Sequence, residues 1–188
     1  MYKVECCTIC TWSKKGTLCR PVTNTCDLPE YCIGTVPICG DDLYIQDGMP
    51  CSEEGFCYNG SCTDLNVHCR EIFGSGTFQG HDVCYTINKG QTQFGHCNYL
   101  LQILHYNPCT DRDTKCGRLQ CSNVTQLPPM SEQGSLHQSR ISGAWCWGTS
   151  VHITHAKTID VGHVRNGTPC APGKICYKRC CNTDLTSI

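Results

Sequence analysis

The sequence has no strong charge bias and no long apolar run. Its 15 lysines and arginines nearly balance its 16 aspartates and glutamates over 188 residues. A basic stripe is the usual footprint of nucleic-acid binding, so we expect no nucleic-acid partner. The most apolar stretch, residues 99–106, is far too short to cross a bilayer as a helix, so we expect no membrane span in this chain.

The sequence also lacks the short motifs of common enzyme classes. It contains no H-E-x-x-H, no G-x-S-x-G and no G-x-x-x-x-G-K. The eight histidines are scattered, whereas a zinc enzyme needs three clustered ligands and a general base. We interpret His152, His155 and His163 as surface histidines of a polar loop. We therefore expect no enzyme activity and no zinc in this chain.

Cysteine is what the sequence has in abundance. It accounts for 21 of the 188 residues, which exceeds the ~8–10% that marks a disulfide scaffold. The spacings are irregular and include a single C-x-x-C, which favours disulfides over the alternative of structural zinc. The first residues lack the apolar segment of a secretory signal, so we expect a piece of a larger extracellular protein. The odd number leaves at least one sulfur without an internal partner.

Local patterns predict a few short elements. Asn59-Gly60 lies between two cysteines, which is typical of a tight hairpin turn. Residues 66–75 and 96–106 are the best candidates for short helices. The apolar face of the second candidate, which is either local core or a partner-binding surface, consists of Tyr99, Ile103 and Tyr106.

A polar stretch over residues 122–143 contains Pro-Pro and no cysteine. In so heavily bridged a chain, a loop of this length is either disordered or functional. The chain also has three N-x-[ST] sequons, which fit an extracellular protein and predict N-glycosylation. They begin at Asn59, Asn123 and Asn166, and Asn123 is the best candidate because a tight turn hinders Asn59.

Two pairs of carboxylates lie close together in the sequence. Asp27 and Glu30 form one pair, and Asp41 and Asp42 form the other. Calcium takes about six to eight oxygen ligands from carboxylates and backbone carbonyls, so a fold that joins the two pairs would make a calcium site. The alternative is a solvated acidic turn without an ion.

Several long motifs follow one another along the chain. Residues 5–10 read Glu-Cys-Cys-Thr-Ile-Cys, residues 26–32 read Cys-Asp-Leu-Pro-Glu-Tyr-Cys, and residues 44–51 fit Tyr-x-x-Asp-Gly-x-Pro-Cys. With the Cys-Arg at 19–20, these motifs resemble the disintegrin domain of the ADAM family (a disintegrin and metalloprotease). Downstream, residues 116–121 and 166–176 are similar to that family's cysteine-rich domain. The resemblance covers essentially the whole chain.

The resemblance implies a small disulfide-rich fold, mostly irregular with short strands and a few short helices. It implies a partial disintegrin domain, an arm over residues 1–45, followed by an α+β cysteine-rich domain over 46–188 with a hypervariable region over about 122–160. Cys7 and Cys10 would lack their upstream partners, and Cys180 is an addition. Family members suggest the disulfides Cys6–Cys32, Cys19–Cys39, Cys26–Cys57 and Cys51–Cys62.

The resemblance further implies a non-catalytic, extracellular adhesion fragment that binds an integrin or another cell-surface protein. Family members commonly have Glu where this chain has Thr25, so only Asp27 remains as a carboxylate for an integrin's metal ion. The hypervariable region is the second candidate contact. The residues of the family's adhesion loop correspond here to Arg20, Pro21, Val22, Thr23, Asn24, Thr25 and Asp27.

The calcium site is also implied by the resemblance, with calcium as a structural cofactor. Its ligands would be the carboxylates of Asp27, Glu30, Asp41 and Asp42 and backbone oxygens such as that of Leu28. Two alternatives to the adhesion role stay open at this point. One is a substrate-recognition exosite of a membrane-anchored zinc metalloprotease, and the other is a truncated product without independent function.

Overall fold

The computed structural model describes residues 6–8, 11–100, 105–127, 134–151 and 160–184. The chain divides into two units, Met1–Cys62 and Thr63–Ile188. The Cys26–Cys57 disulfide ties the hairpin over 57–62 to the first unit, and the domain boundary at residue 45 stays a prediction. Within the described part of the chain, no helix has the length and apolar character needed to cross a membrane.

The first unit consists of very short strands held together by disulfides. The strands are β1 Cys7–Thr8, β2 Thr11–Trp12, β3 Leu18–Arg20, β4 Glu30–Tyr31, β5 Cys57–Tyr58 and β6 Ser61–Cys62. They pair as three antiparallel ribbons, β1–β2, β3–β4 and β5–β6. The buried cluster of this unit consists of Cys6, Cys19 and Cys32 instead of aliphatic side chains. Disulfides therefore take the place of an apolar core here.

The four disulfides implied by the resemblance are present in the first unit. The predicted hairpin turn is also confirmed: Asn59 (φ 48°) and Gly60 (φ 70°) connect β5 to β6. Two successive left-handed residues are the signature of a type I′ turn, which suits Asn-Gly. The disulfides join Cys6 to Cys32, Cys19 to Cys39, Cys26 to Cys57 and Cys51 to Cys62.

The second unit begins with helix α1, Leu65–Phe73, which confirms the helix predicted over 66–75. The Asp64 carboxylate accepts hydrogen bonds from two amides of the first turn, and Gly74 (φ 89°) ends the helix. Two 3₁₀ helices follow among the described residues of this unit, over Asp82–Lys89 and Asp111–Cys116. Helix α1 turns its buried face, which includes Leu65 and Phe73, toward the core of the unit.

Short strands complete the second unit. They are β7 Phe78–Gln79, β8 Asn98–Leu100, β9 His105–Asn107, β10 Cys121–Ser122, β11 Gly134–Ile141, β12 Ala144–Val151, β13 Pro169–Ala171, β14 Lys174–Tyr177 and β15 Cys180–Asp184. The sheets have the orders β11-β12-β10-β7, β13-β14-β15 and β8-β9. Leu65, Phe73, Tyr85, Leu119 and Val164 form the aliphatic and aromatic part of the core.

Five further disulfides run through the second unit. They join Cys69 to Cys121, Cys84 to Cys146, Cys97 to Cys109, Cys116 to Cys176 and Cys170 to Cys181. With nine disulfides, short strands and few short helices in the described residues, the predicted fold class is confirmed. Among the described residues Cys180 forms no disulfide. Cys10 lies outside them.

The helix predicted over residues 96–106 is wrong. The described part of this segment is an antiparallel hairpin of β8 and β9, in which Tyr99 lies opposite Tyr106. Their ring centroids are 4.8 Å apart, so the two tyrosines meet across strands and not along one helical face. The Cys97–Cys109 disulfide closes the open end of the hairpin and so favours extended pairing. Ile103 lies outside the described residues.

The polar loop predicted over residues 122–143 is wrong over residues 134–143. Residues 134–141 form β11, which pairs with β12 along its whole length. Ser142 (φ 48°) and Gly143 (φ 87°) connect the two strands, so a tight turn was present without an Asn-Gly signal. Residues 128–133 lie outside the described part of the chain.

His163 is not a surface histidine. Its side chain is 14% exposed, and its ring packs edge-on against His96 with 5.1 Å between centroids. A backbone bridge to Arg118 draws His163 into the second unit, which the scattered sequence positions do not show. His152 and His155 lie outside the described residues.

Candidate recognition surfaces

The predicted adhesion loop is a tight, internally bonded turn. It leaves β3 at Arg20, and the side-chain oxygen of Asn24 accepts a hydrogen bond from the Cys26 amide at 2.8 Å. The Asp27 amide donates to the Asn24 carbonyl at 3.1 Å, and the Cys26–Cys57 disulfide fixes the end of the turn. Pro21, Val22, Thr23 and Thr25 are exposed along its outer side. The loop therefore presents small apolar and hydroxyl side chains on a rigid backbone.

Asp27 does not point outward from this loop. The residue is 7% exposed, and its two carboxylate oxygens accept five hydrogen bonds. The donors are Arg20 Nη1 (2.7 Å) and Nη2 (2.8 Å), the Thr23 amide and hydroxyl (both 2.7 Å), and the Leu28 amide (2.9 Å). Hydrogen bonds from Arg20, the largest influence, and from Thr23 outweigh the opposing effect of burial and hold the pKa of Asp27 well below its ordinary range.

The guanidinium of Arg20 lies at the centre of the predicted calcium site. Nη2 is 2.8 Å from both Glu30 Oε1 and Asp42 Oδ1, and 3.1 Å from the carbonyl oxygen of Leu28. The pKa of Glu30 is lowered, first by its hydrogen bond from Arg20. Asp41 is exposed and forms no ion pair with Arg20. Four of the five predicted ligands are thus brought together, around a side chain.

In this arrangement Arg20 occupies the oxygens that would ligate calcium. Carboxylate and carbonyl oxygens are the ligands that calcium prefers, at about 2.3–2.6 Å. The oxygens of Asp27, Glu30, Asp42 and Leu28 instead surround guanidinium nitrogens at 2.7–3.1 Å. An ion at that point would require Arg20 to leave, so the residues as placed do not fit calcium.

A second exposed surface lies at the turn between β11 and β12, within the predicted hypervariable region. The guanidinium of Arg140 lies over the ring of Trp145, 5.6 Å from its centroid, and Trp145 is 50% exposed. Trp147 packs against the core, and the Cys84–Cys146 disulfide anchors β12. The exposed pair is therefore held on a braced hairpin. We call Arg140 and Trp145 the hairpin pair.

All three predicted glycosylation asparagines are exposed. The Asn123 side chain donates a hydrogen bond to the Gly76 carbonyl at 2.9 Å, and that of Asn166 accepts one from the Lys178 amide at 3.0 Å. The threonine of the second of these sequons, Thr168, is 1% exposed. Modification of Asn166 would therefore have to precede folding, whereas the Asn123 sequon is accessible in the folded chain.

Sequence reasoning missed two features of these surfaces. It placed Arg20 among the outward-facing residues, although its guanidinium is turned inward. A single cation close to four carboxylates was the available signal. It also did not single out the hairpin pair. The Trp145-Cys146-Trp147 alternation predicts one strand with two tryptophans on the same face. Trp147 is partly buried against the core, whereas Trp145 is 50% exposed.

Comparison with known proteins places these features in a family. The family model for the ADAM cysteine-rich region matches residues 47–162. Disintegrin and metalloproteinase domain-containing protein 1 of Rattus norvegicus is 37% identical over 183 residues, which is 96% of this chain and 23% of that protein. Disintegrin and metalloproteinase domain-containing protein 9 of Homo sapiens is 36% identical over 174 residues, 92% of this chain and 21% of that protein. The chain spans less than a quarter of the length of these relatives.

Proposed function

We propose that this chain, which belongs to the ADAM family, is a non-catalytic extracellular module that recognises a protein at a cell surface. Its sequence has no H-E-x-x-H motif, and the family model matches the cysteine-rich region. The dense disulfides suit an oxidising, extracellular compartment. The three sequons support the same location.

The hairpin pair is the observation that carries this proposal. Tryptophan and arginine are, with tyrosine, the residue types most enriched at the energetic centres of protein interfaces. Trp145 is half exposed on a strand fixed by a disulfide, so docking a partner on it costs little conformational entropy. The stacked Arg140 adds a cation with donors for a carboxylate or carbonyl of the partner.

The adhesion loop is the alternative contact for an integrin or another cell-surface protein. A carboxylate that ligates an integrin's metal ion has to project from the surface, whereas Asp27 is enclosed by five hydrogen bonds. Val22 is 52% exposed at the outer side of the loop. Contact through this loop would therefore depend on shape and apolar area in place of an acidic group.

Binding of the secreted, disulfide-intact chain to cultured cells and to immobilised integrin ectodomains tests the proposal. We expect Trp145→Ala to weaken binding to cells by roughly tenfold or more. The matched control is Tyr177→Ala. Tyr177 is 40% exposed and carries a stacked Lys178 on another sheet of the same unit, and its removal should leave binding unchanged.

Two outcomes would reject the hairpin pair as the contact. One is equal binding of Trp145→Ala and wild type. The other is loss of binding in Val22→Glu with Trp145→Ala unaffected, which would place the contact on the adhesion loop. Binding to one integrin ectodomain, abolished by Val22→Glu, would identify the loop as an integrin contact that needs no acidic side chain.

A further inference from the structure

We propose that Arg20 is the resident cation of the acidic cluster, and that the adhesion loop keeps its shape without a bound metal ion. The acidic cluster is defined here as the carboxylates of Asp27, Glu30 and Asp42 with the carbonyl of Leu28. All four groups lie 2.7–3.1 Å from the two terminal nitrogens of Arg20. Arg20 thus takes the role that the sequence pattern gave to calcium.

Burial makes a cation obligatory at this point. Asp27 and Glu30 are 7% and 5% exposed, so both carboxylates have lost most of their water. A buried ionised carboxylate is tolerated only when it is paired and hydrogen bonded. Arg20 pairs with both, and its contact with Asp27 is bidentate, the strongest geometry available to a guanidinium and a carboxylate.

The Nη2 atom of Arg20 has more oxygen neighbours than it has hydrogens to donate. This nitrogen lies within 3.1 Å of oxygens from all four members of the acidic cluster. Two N–H bonds cannot point at four acceptors, so part of the attraction is direct charge attraction. Such convergence of oxygens on one positive centre is how a cation site is built.

A tethered cation has an advantage over a free one. A group held by a short linker acts at an effective concentration on the order of mM. Extracellular calcium modules have dissociation constants of about 10⁻⁴–10⁻³ M. Calcium would have to displace Arg20 and also leave its guanidinium without partners. We therefore expect the wild-type loop to be indifferent to calcium.

Hydrogen exchange of the segment over residues 20–32, in the full chain with its disulfides intact, measures whether the adhesion loop depends on calcium or on Arg20. The Thr23 amide donates to Asp27 Oδ2 at 2.7 Å, so it is protected only while Asp27 is held in place. In the wild type we expect the same protection in excess EDTA and in ~5 mM calcium, above the ~10⁻⁴–10⁻³ M range of such modules. In Arg20→Gln we expect protection in EDTA to fall at least tenfold, and calcium to restore part of it.

Two results would overturn the inference. The first is a wild-type loop that loses protection in EDTA and regains it with calcium. The second is an Arg20→Gln variant with wild-type protection in EDTA, since Arg20 would then hold nothing.

If Arg20→Gln does not fold, Asp42→Asn provides a second test of whether Arg20 or calcium occupies the acidic cluster. Asp42 lies at the rim with its side chain 82% exposed, so its loss should change protection little and create no response to calcium. The matched control is Asp41→Asn at the neighbouring exposed position. A calcium response in the wild type whose midpoint rises several-fold in Asp42→Asn, but not in Asp41→Asn, would show that the ion and not Arg20 occupies the cluster.

Discussion

His68 makes the stability of the second unit depend on pH below about 7. Its side chain is 2% exposed on α1, with Nε2 2.9 Å from the carbonyl oxygen of Val161. Burial, and after it the positive charge of Arg165, lower the pKa of His68 to about 3. An unfolded histidine has a pKa of ~6.5. Below that pH the chain therefore takes up a proton at His68 when it unfolds.

The magnitude follows from the two pKa values. With ~6.5 in the unfolded chain and about 3 in the native state, His68 contributes ~2 kcal/mol more stability at pH ~8 than at pH ~5. The loss begins as the pH falls through ~6.5 and ends as it falls through the native pKa of about 3. Any native pKa below ~4 gives nearly the same figure at pH ~5, because the unfolded value then sets it.

Urea unfolding of the disulfide-intact chain at the two pH values measures the effect. We expect His68→Gln, which cannot titrate, to lose ~2 kcal/mol less free energy of unfolding than the wild type on acidification from pH ~8 to ~5. Taking this difference cancels the titration of the other histidines and any loss that glutamine causes at both pH values. His105→Gln, at an exposed position of β9, is the control and should behave like the wild type.

Equal acid losses in the wild type and His68→Gln would refute the reasoning. That result would mean that His68 is protonated in the native state at pH ~5, and hence that it is hydrated or paired with an acid. Carboxylates with ordinary or lowered pKa values stay ionised over this pH range, so they do not imitate the effect.

Three further outcomes are expected. Leu119→Ala should reduce the free energy of unfolding by ~2–5 kcal/mol because Leu119 is 2% exposed in the core. Leu127→Ala, at a 64% exposed position, is the control and should change the free energy of unfolding by less than ~0.5 kcal/mol. Similar urea midpoints for the two variants would contradict this expectation. Asp64→Ala removes the N-terminal cap of α1 and should cost ~1 kcal/mol, and unchanged urea unfolding would show that the cap is dispensable. Thr125→Ala should lower the mass of the secreted chain by one glycan at Asn123, and an unchanged mass would mean that this sequon is unused.

Disulfide pairing was predictable only where a family pattern supplied it. The four pairs of the first unit follow from the resemblance, and the structure contains them. The five pairs of the second unit have sequence separations from 11 to 62 residues, and their chain segments interleave. Spacing alone cannot rank such pairings, because each depends on which strands and helices the remaining core residues bring together.

Local signals succeeded where one residue type dictates one conformation. Asn59-Gly60 supplies two left-handed residues, and α1 carries a helical pattern behind a capping aspartate. The same reasoning failed at Tyr99 and Tyr106, whose spacing of seven fits one helical face. An antiparallel hairpin also brings residues at that spacing together, and a disulfide that closes the hairpin decides between the two.

The acidic cluster could be predicted from the sequence only in part. The sequence shows one arginine and four nearby carboxylates, but whether the arginine side chain reaches those carboxylates depends on strand register. Arg20 and Glu30 are partners across the β3–β4 ribbon. The register of this ribbon is irregular between Leu18 and Arg20. A slip of one residue would turn the arginine side chain to the opposite face of the ribbon. A chain with the same carboxylates and no cation at position 20 would leave Asp27 and Glu30 buried without a positively charged partner. We therefore expect such a chain to depend on a metal ion where this one depends on a side chain.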